Sequence, residues 1–267
     1  MRTWSRGDGG AAKRAVGPGV SRRAVLGGLA ASMVVGRRAA AFGETTLVDV
    51  VELDLGPGTL SRPNAWRGLL YEMTRLTSVE CATTSVRVAA DDPAMFEHPF
   101  AVLSGDGAFA DPSDTAVKQL EQYLAYGGFL FIDDTTGTDG SGFDRCVRRL
   151  MSRVFPTRPF ALIPPDHSVN RAFFLLTGCP GRLAVHPYLE GITAGTLAPV
   201  IYCRNDISGA LDRTDSGAAV AACVPGGERQ RTEALKLGVN LFMYSLTADY
   251  KSDQAHIRQL MLERRIK

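Results

Sequence analysis

Residues 100–134, FAVLSGDGAFADPSDTAVKQLEQYLAYGGFLFIDD, carry the pattern of a complete strand–helix–strand unit. Phe100–Ser104 (FAVLS) and Phe129–Asp133 (FLFID) are short runs dominated by apolar residues, too short for helices. A continuous rather than alternating run predicts a strand covered on both faces, which is the environment of a parallel sheet. Between them, Asp111, Pro112, Ser113 and Asp114 supply capping oxygens with a proline, and Gly127 and Gly128 supply a stop. Val117, Leu120, Tyr123 and Leu124 recur at helical spacing inside those limits, giving the helix one apolar face. Parallel neighbours cannot be joined by a tight turn, so a helical crossover of this kind is what they require.

Working outward, Leu47–Leu55 (LVDVVELDL) alternates apolar and polar residues before Gly56, Pro57 and Gly58, which predicts the first strand and its exit loop. Asn64 then serves as an N-cap for a helix with Trp66, Leu69, Leu70, Met73 and Leu76 on one face, and Ser85–Ala89 is a short second strand. Beyond the quoted unit, Phe143–Val154 reads as a helix, Phe160–Ile163 as a fifth strand, Leu197–Cys203 (LAPVIYC) as a sixth, and Glu233–Thr247 as a helix covering the sheet. The proline-rich stretch Pro164–Pro199 reads as a long irregular excursion. Strands alternating with helices predict an α/β fold, three-layer and doubly wound around a mostly parallel, flavodoxin-like sheet.

The formal charge of +2 is unevenly spread. Of 30 Lys/Arg, eight fall in residues 1–41 with a single Asp, leaving 22 basic against 27 acidic residues in the remainder. An acidic body has no electrostatic basis for binding nucleic acid or anionic lipid. The leader has the order of an export signal: a basic stretch through Arg23, an apolar stretch Ala24–Val35, and the small residues Ala39, Ala40 and Ala41 for cleavage. Its apolar part is shorter than the about 20 residues a spanning helix needs, so no membrane span is expected after cleavage. Ser21, Arg22, Arg23, Ala24, Val25 and Leu26 resemble the twin-arginine consensus, although Val25 stands where that consensus usually has Phe. The expected organisation is a twin-arginine signal peptide at 1–41, a periplasmic α/β domain at 42–251, and a charged tail at 252–267. Cys81, Cys146, Cys179, Cys203 and Cys223 lie far apart with no C-x-x-C. That spacing argues against a zinc cluster and, in an oxidising compartment, leaves room for one disulfide of unassigned pairing.

Phe96, Pro99 and Phe100 leading into LSGDG, then GGFLFIDD (127–134), Pro165-Asp166-His167, LEGI (189–192), YCRND (202–206) and GVNLFMYSLT (238–247) resemble a bacterial family, domain of unknown function 4159. The resemblance spans nearly all of the chain after the leader. It implies a fold similar to class I glutamine amidotransferases and a functional link to MoxR-type ATPases and von Willebrand factor A proteins. It implies no established activity. An amidotransferase needs a cysteine on the sharp turn after a central strand, and the corresponding turn, Ile132–Gly137, has none, so glutamine hydrolysis by that mechanism is not expected.

Ligands of open parallel sheets bind outside the carboxyl ends of the strands. Asp106, Asp133, Asp134, Asp166, His167 and Asp206 follow four strands there, and Arg62 and Asn64 follow the first; all eight are candidate ligand-binding residues. Asp106, Asp133, Asp134 and His167 have the chemistry to hold a divalent metal, carboxylate oxygens with one imidazole suiting manganese or zinc. Helix capping by Asp133 or Asp134 and loop-holding by His167 are the plainer reading of the same residues, with a polar ligand bound without metal as the third. Glycines in LSGDG and TTGTDGSG (135–142) lack the lysine of a phosphate loop and read as turns. Two functions follow: a periplasmic module that binds a polar small molecule or a protein partner, or a metal-assisted or acid–base hydrolase built on the Asp/His cluster.

Overall fold

A computed structural model describes the backbone of residues 47–263 and side chains through residue 247. The leader reading therefore lies outside the described residues. A seven-stranded sheet is built from β1 (Val51–Asp54), β2 (Val86–Ala89), β3 (Phe100–Gly105), β4 (Phe129–Asp134), β5 (Ala161–Leu162), β6 (Glu190–Ala194) and β7 (Leu197–Cys203), in the order β2-β1-β3-β4-β7-β6-β5. The first five positions run parallel and have the flavodoxin-like order. Strand β6 is antiparallel to both neighbours.

Alternation along each buried strand divides the core in two. Phe100, Val102, Phe129, Phe131, Ile201 and Cys203 face one side, against α1 (Ala65–Leu76) and α5 (Gly227–Glu263). Ala101, Leu103, Leu130, Ile132, Val200 and Tyr202 face the other, against α2 (Asp114–Ala125) and α3 (Gly142–Val154). Both faces of β3 and β4 are wholly buried, which is why these strands read as unbroken apolar runs. Ser113 and Ser141 start α2 and α3 by accepting from Ala116 and Asp144 N–H, at 3.1 and 3.0 Å.

Three elements differ from expectation. The stretch read as irregular contains β6, which continues into β7 through Gly195 at φ +64°, a conformation suited to glycine. A five-residue helix, α4 (Ile207–Leu211), follows β7. Helix α5 begins earlier than Glu233 and continues past residue 252 to Glu263. No described helix is long and apolar enough to cross a membrane.

Candidate functional site

Asp133 and Asp134 end β4, and because successive strand residues point to opposite faces they do not share a crevice. Asp133 turns toward the α1/α5 side and caps α4. It accepts from Ile207 N–H at 3.0 Å, Ser208 N–H at 2.7 Å and Ser208 Oγ at 2.5 Å. Its side chain is wholly buried. Desolvation, reinforced by the nearby Asp206 charge, pushes its pKa from 3.8 up to about 7 against those hydrogen bonds.

Asp134 turns toward α3 and is satisfied there: Oδ1 accepts from Thr136 N–H (2.8 Å) and Oγ1 (2.7 Å), Oδ2 from Ser141 (3.0 Å) and Tyr202 (3.3 Å). Tyr202 Oη also reaches Asp144 at 3.0 Å; burial first, then both carboxylates, drive the phenol's pKa upward. An ion-pair chain continues outward, Arg148 joining Asp144 and Glu190 at 2.9 Å each, and Arg204 joining Glu190 at 3.3 Å and Asp139.

Asp206, left-handed at φ 54°, adjoins Asp133 and is itself fully buried. It caps α4 through Gly209 N–H at 2.7 Å, pairs with Arg62 at 2.9 Å, and also takes Arg182. Arg62 arrives on the loop after β1, which folds back over β3: Leu60 N–H donates to Ser104 O at 2.8 Å, and Asp106 and Gly107 N–H donate to Gly58 O at 3.2 and 3.3 Å. A side chain at Gly58 would strike the carbonyls of Gly107 and Ala108, so glycine is required for this approach. The point between β1 and β3, where strand order reverses and open sheets bind ligands, is thus filled by the chain's own loop.

Arg62, Asp133, Asp134 and Asp206 are brought to one edge, but as parts of the scaffold. Asp106 is solvent-exposed on the loop after β3, and Asp166 is exposed on the loop after β5. His167 is elsewhere. Its ring lies 5.4 Å from Tyr244, whose hydroxyl accepts from Ala198 N–H at the start of β7 and whose ring lies 5.5 Å from Phe129 at the start of β4. Asp133 is four residues along that strand, roughly 13 Å away at about 3.3 Å per residue. The quartet Asp106, Asp133, Asp134 and His167 is therefore not assembled for a metal, and no group of three or more His, Cys, Asp or Glu among the described residues is arranged to hold one. Asp133 and Asp134 part because successive strand residues point to opposite faces, and His167, although it follows the carboxyl end of β5, sits where its loop turns back to Tyr244.

Asn64 lines a cavity of about 710 Å³ between α1, α5 and the loop 213–217. Arg67, Tyr71, Arg213, Thr214 and Ser216 also line it. Arg67 pairs with the exposed Asp215 at 2.8 Å, and Arg213 donates to Gly217 O at 3.4 Å. Arg231 is buried in its wall, held by Ala210 O, Ala221 O and Glu228. Sequence reasoning missed Ser208, Arg182 and Arg213. The first is an unmarked helix residue, and the others lie in segments without periodicity.

A family model described as Domain of unknown function (DUF4159) matches residues 50–246, so the chain belongs to that family. No curated protein matches it.

Proposed function

We propose that this member of the family is an exported recognition module, an amidotransferase-like α/β domain without a nucleophile, which binds a polar, anion-bearing small molecule in the cavity between α1 and α5. The observation that carries the reading is the state of the β4 end. The turn that would present a nucleophile holds Asp133 and Asp134, each buried and hydrogen-bonded to the chain's own loops, so neither has a free oxygen for acid–base or nucleophilic work. The open polar space lies instead at the neighbouring cavity. Its volume suits a small ligand, and Glu72, Asp215 and Glu228 share the lining with Arg67, Arg213 and Arg231. It is Arg213, bonded to a carbonyl rather than to an acid, that with Thr214 and Ser216 beside it suits carboxylate or phosphate. Export by the twin-arginine route rests on the leader residues.

Titration calorimetry with citrate and with inorganic phosphate tests the cavity. Saturable binding of at least one is expected, with Arg213→Ala weakening it about 10-fold or more, the usual scale for a lost charged hydrogen bond. No heat with either anion, or affinity unchanged in Arg213→Ala and Arg67→Ala, would remove the cavity from consideration.

A further inference from the structure

Cys179 and Cys203 place their sulfur atoms 3.4 Å apart inside the protein, one on the loop before Pro180 and the other at the end of β7. We propose that this pair is a modification site: on exposure to a low-molecular-weight disulfide the two thiols form an intramolecular disulfide that locks the loop 179–187 onto the strand end. The inference is independent of what the cavity binds.

Three observations carry it. First, the spacing is imposed by the backbone around it. Asn205, two residues after Cys203, donates through Nδ2 to Cys179 O and His186 O at 2.6 Å each, and accepts at Oδ1 from His186 N–H at 2.9 Å. Leu183 N–H donates to Asn205 O at 2.9 Å, and a side chain at Gly181 would strike the Asn205 backbone. The loop and strand end are thus already held together, and a bond of about 2.05 Å needs the sulfurs to close by little more than 1 Å, within reach of small side-chain rotations. Second, the pair is approachable from one side: Cys179 lines a cavity of about 510 Å³ between this loop and the start of α5, whereas Cys203 is wholly buried behind it. Third, the remaining cysteines have other surroundings: Cys146 donates to Phe109 O at 3.3 Å and Cys81 to Val79 O at 3.7 Å, while Cys223 packs with Ala210 and Ala234.

The chemistry balances as ordinary exchange. Cys179 loses its proton to solvent, and its thiolate attacks one sulfur of the oxidant disulfide, expelling one oxidant thiolate and leaving a mixed disulfide on Cys179. Cys203 then loses its proton, attacks Cys179 Sγ, and expels the second oxidant thiolate. The protein loses two hydrogens and the oxidant gains them. Burial, then the neighbouring Cys179, hold the Cys203 thiol's pKa well above its ordinary value, which makes the second step the slow one; Asn205 N–H, 3.4 Å from Cys203 Sγ, offsets part of that cost.

Arg182 lies three residues from Cys179 and pairs with Asp206, three residues from Cys203. The new bond would therefore fasten the Arg182–Asp206 clamp. The test treats the folded full chain with oxidised glutathione, then unfolds it, alkylates free thiols and maps peptides by mass. The expected result is a cross-linked 179–203 peptide, two of the five cysteines protected, and a melting temperature raised by about 5–10 °C, the scale for closing a loop of this length. Cys179→Ala, folded by circular dichroism, should show neither cross-link nor shift. Five alkylated cysteines, or a bond joining a different pair, would overturn the site. Slower amide exchange at residues 182–187 on oxidation is expected for the lock; unchanged exchange beside a formed bond would overturn that part.

Discussion

Asp133 holds its proton more tightly in the folded protein than in the unfolded chain, since burial and Asp206 raise its pKa from 3.8 to about 7. Between those values the unfolded chain has released a proton that the native state retains. The stability contributed by Asp133 therefore falls as pH rises from about 4 to about 7, and then levels. The protonated acid fits its surroundings: its O–H can point to Ser208 Oγ while the backbone N–H groups of Ile207 and Ser208 still find oxygen. Asparagine keeps the neutral charge but turns an NH2 group toward one of those N–H donors, leaving it unpaired. Asp133→Asn should therefore be less stable than the native protein at pH 5 by about 1–3 kcal/mol, the cost of a buried orphan donor. At pH 8 the deficit should shrink or invert, because only the native protein then carries the ionisation penalty. Urea denaturation at the two pH values measures this, and an equal deficit at both would show that Asp133 is charged throughout.

The short helix α4 is held by two carboxylates that come from different strands, Asp133 of β4 and Asp206 after β7, and its Gly209 lies against the second. A β-carbon there would overlap the Asp206 carboxylate that receives Arg62 and Arg182. Gly209→Ala, otherwise favourable within a helix, should thus cost about 1–3 kcal/mol by displacing a clamped acid, as overpacking does. An unfolding midpoint unchanged from the native protein would mean that the clamp can shift freely. Element by element, the sequence was legible wherever local chemistry and tertiary role agreed. FAVLS and FLFID are buried on both faces, and serine caps with terminal glycines bound α2 and α3. It was least legible where long-range pairing decides. Nothing in LEGI announces an antiparallel strand inserted between β7 and β5, and nothing local marks Ser208 as the partner of Asp133. The Arg145–Arg153 run has the spacing of a solvated helix face, and Arg145 and Arg149 are exposed on it; Arg149 and Arg153 add surface ion pairs to Asp111 and Asp114 at the start of α2. The carboxyl-edge cluster was visible as composition, but composition is blind to the alternation that sends Asp133 and Asp134 to opposite faces of the sheet.

At the scale of the whole molecule, the proposed route of export would require the domain to fold before it leaves the cytoplasm. Parallel strands of high sequence separation form slowly and expose apolar runs such as FLFID while unpaired, so a chain of this topology is hazardous to carry across a membrane unfolded. A pathway that accepts folded cargo avoids that hazard, and the leader residues Ser21–Leu26 resemble its signal. On this reading the core closes before the chain leaves the cytoplasm, and the Cys179–Cys203 pair meets an oxidising compartment only when already brought together, which favours its pairing over random partners. The receptor's discrimination would rest on two planar guanidinium groups, a geometry that lysine does not reproduce. Replacing Arg22 and Arg23 together by Lys should therefore empty the periplasmic fraction and leave a protease-resistant, unprocessed precursor in the cytoplasm, detected by fractionation and limited proteolysis. Resistance to protease separates failed recognition from failed folding, since a misfolded precursor would be degraded. Normal periplasmic accumulation of the double variant would show that export does not depend on the paired arginines.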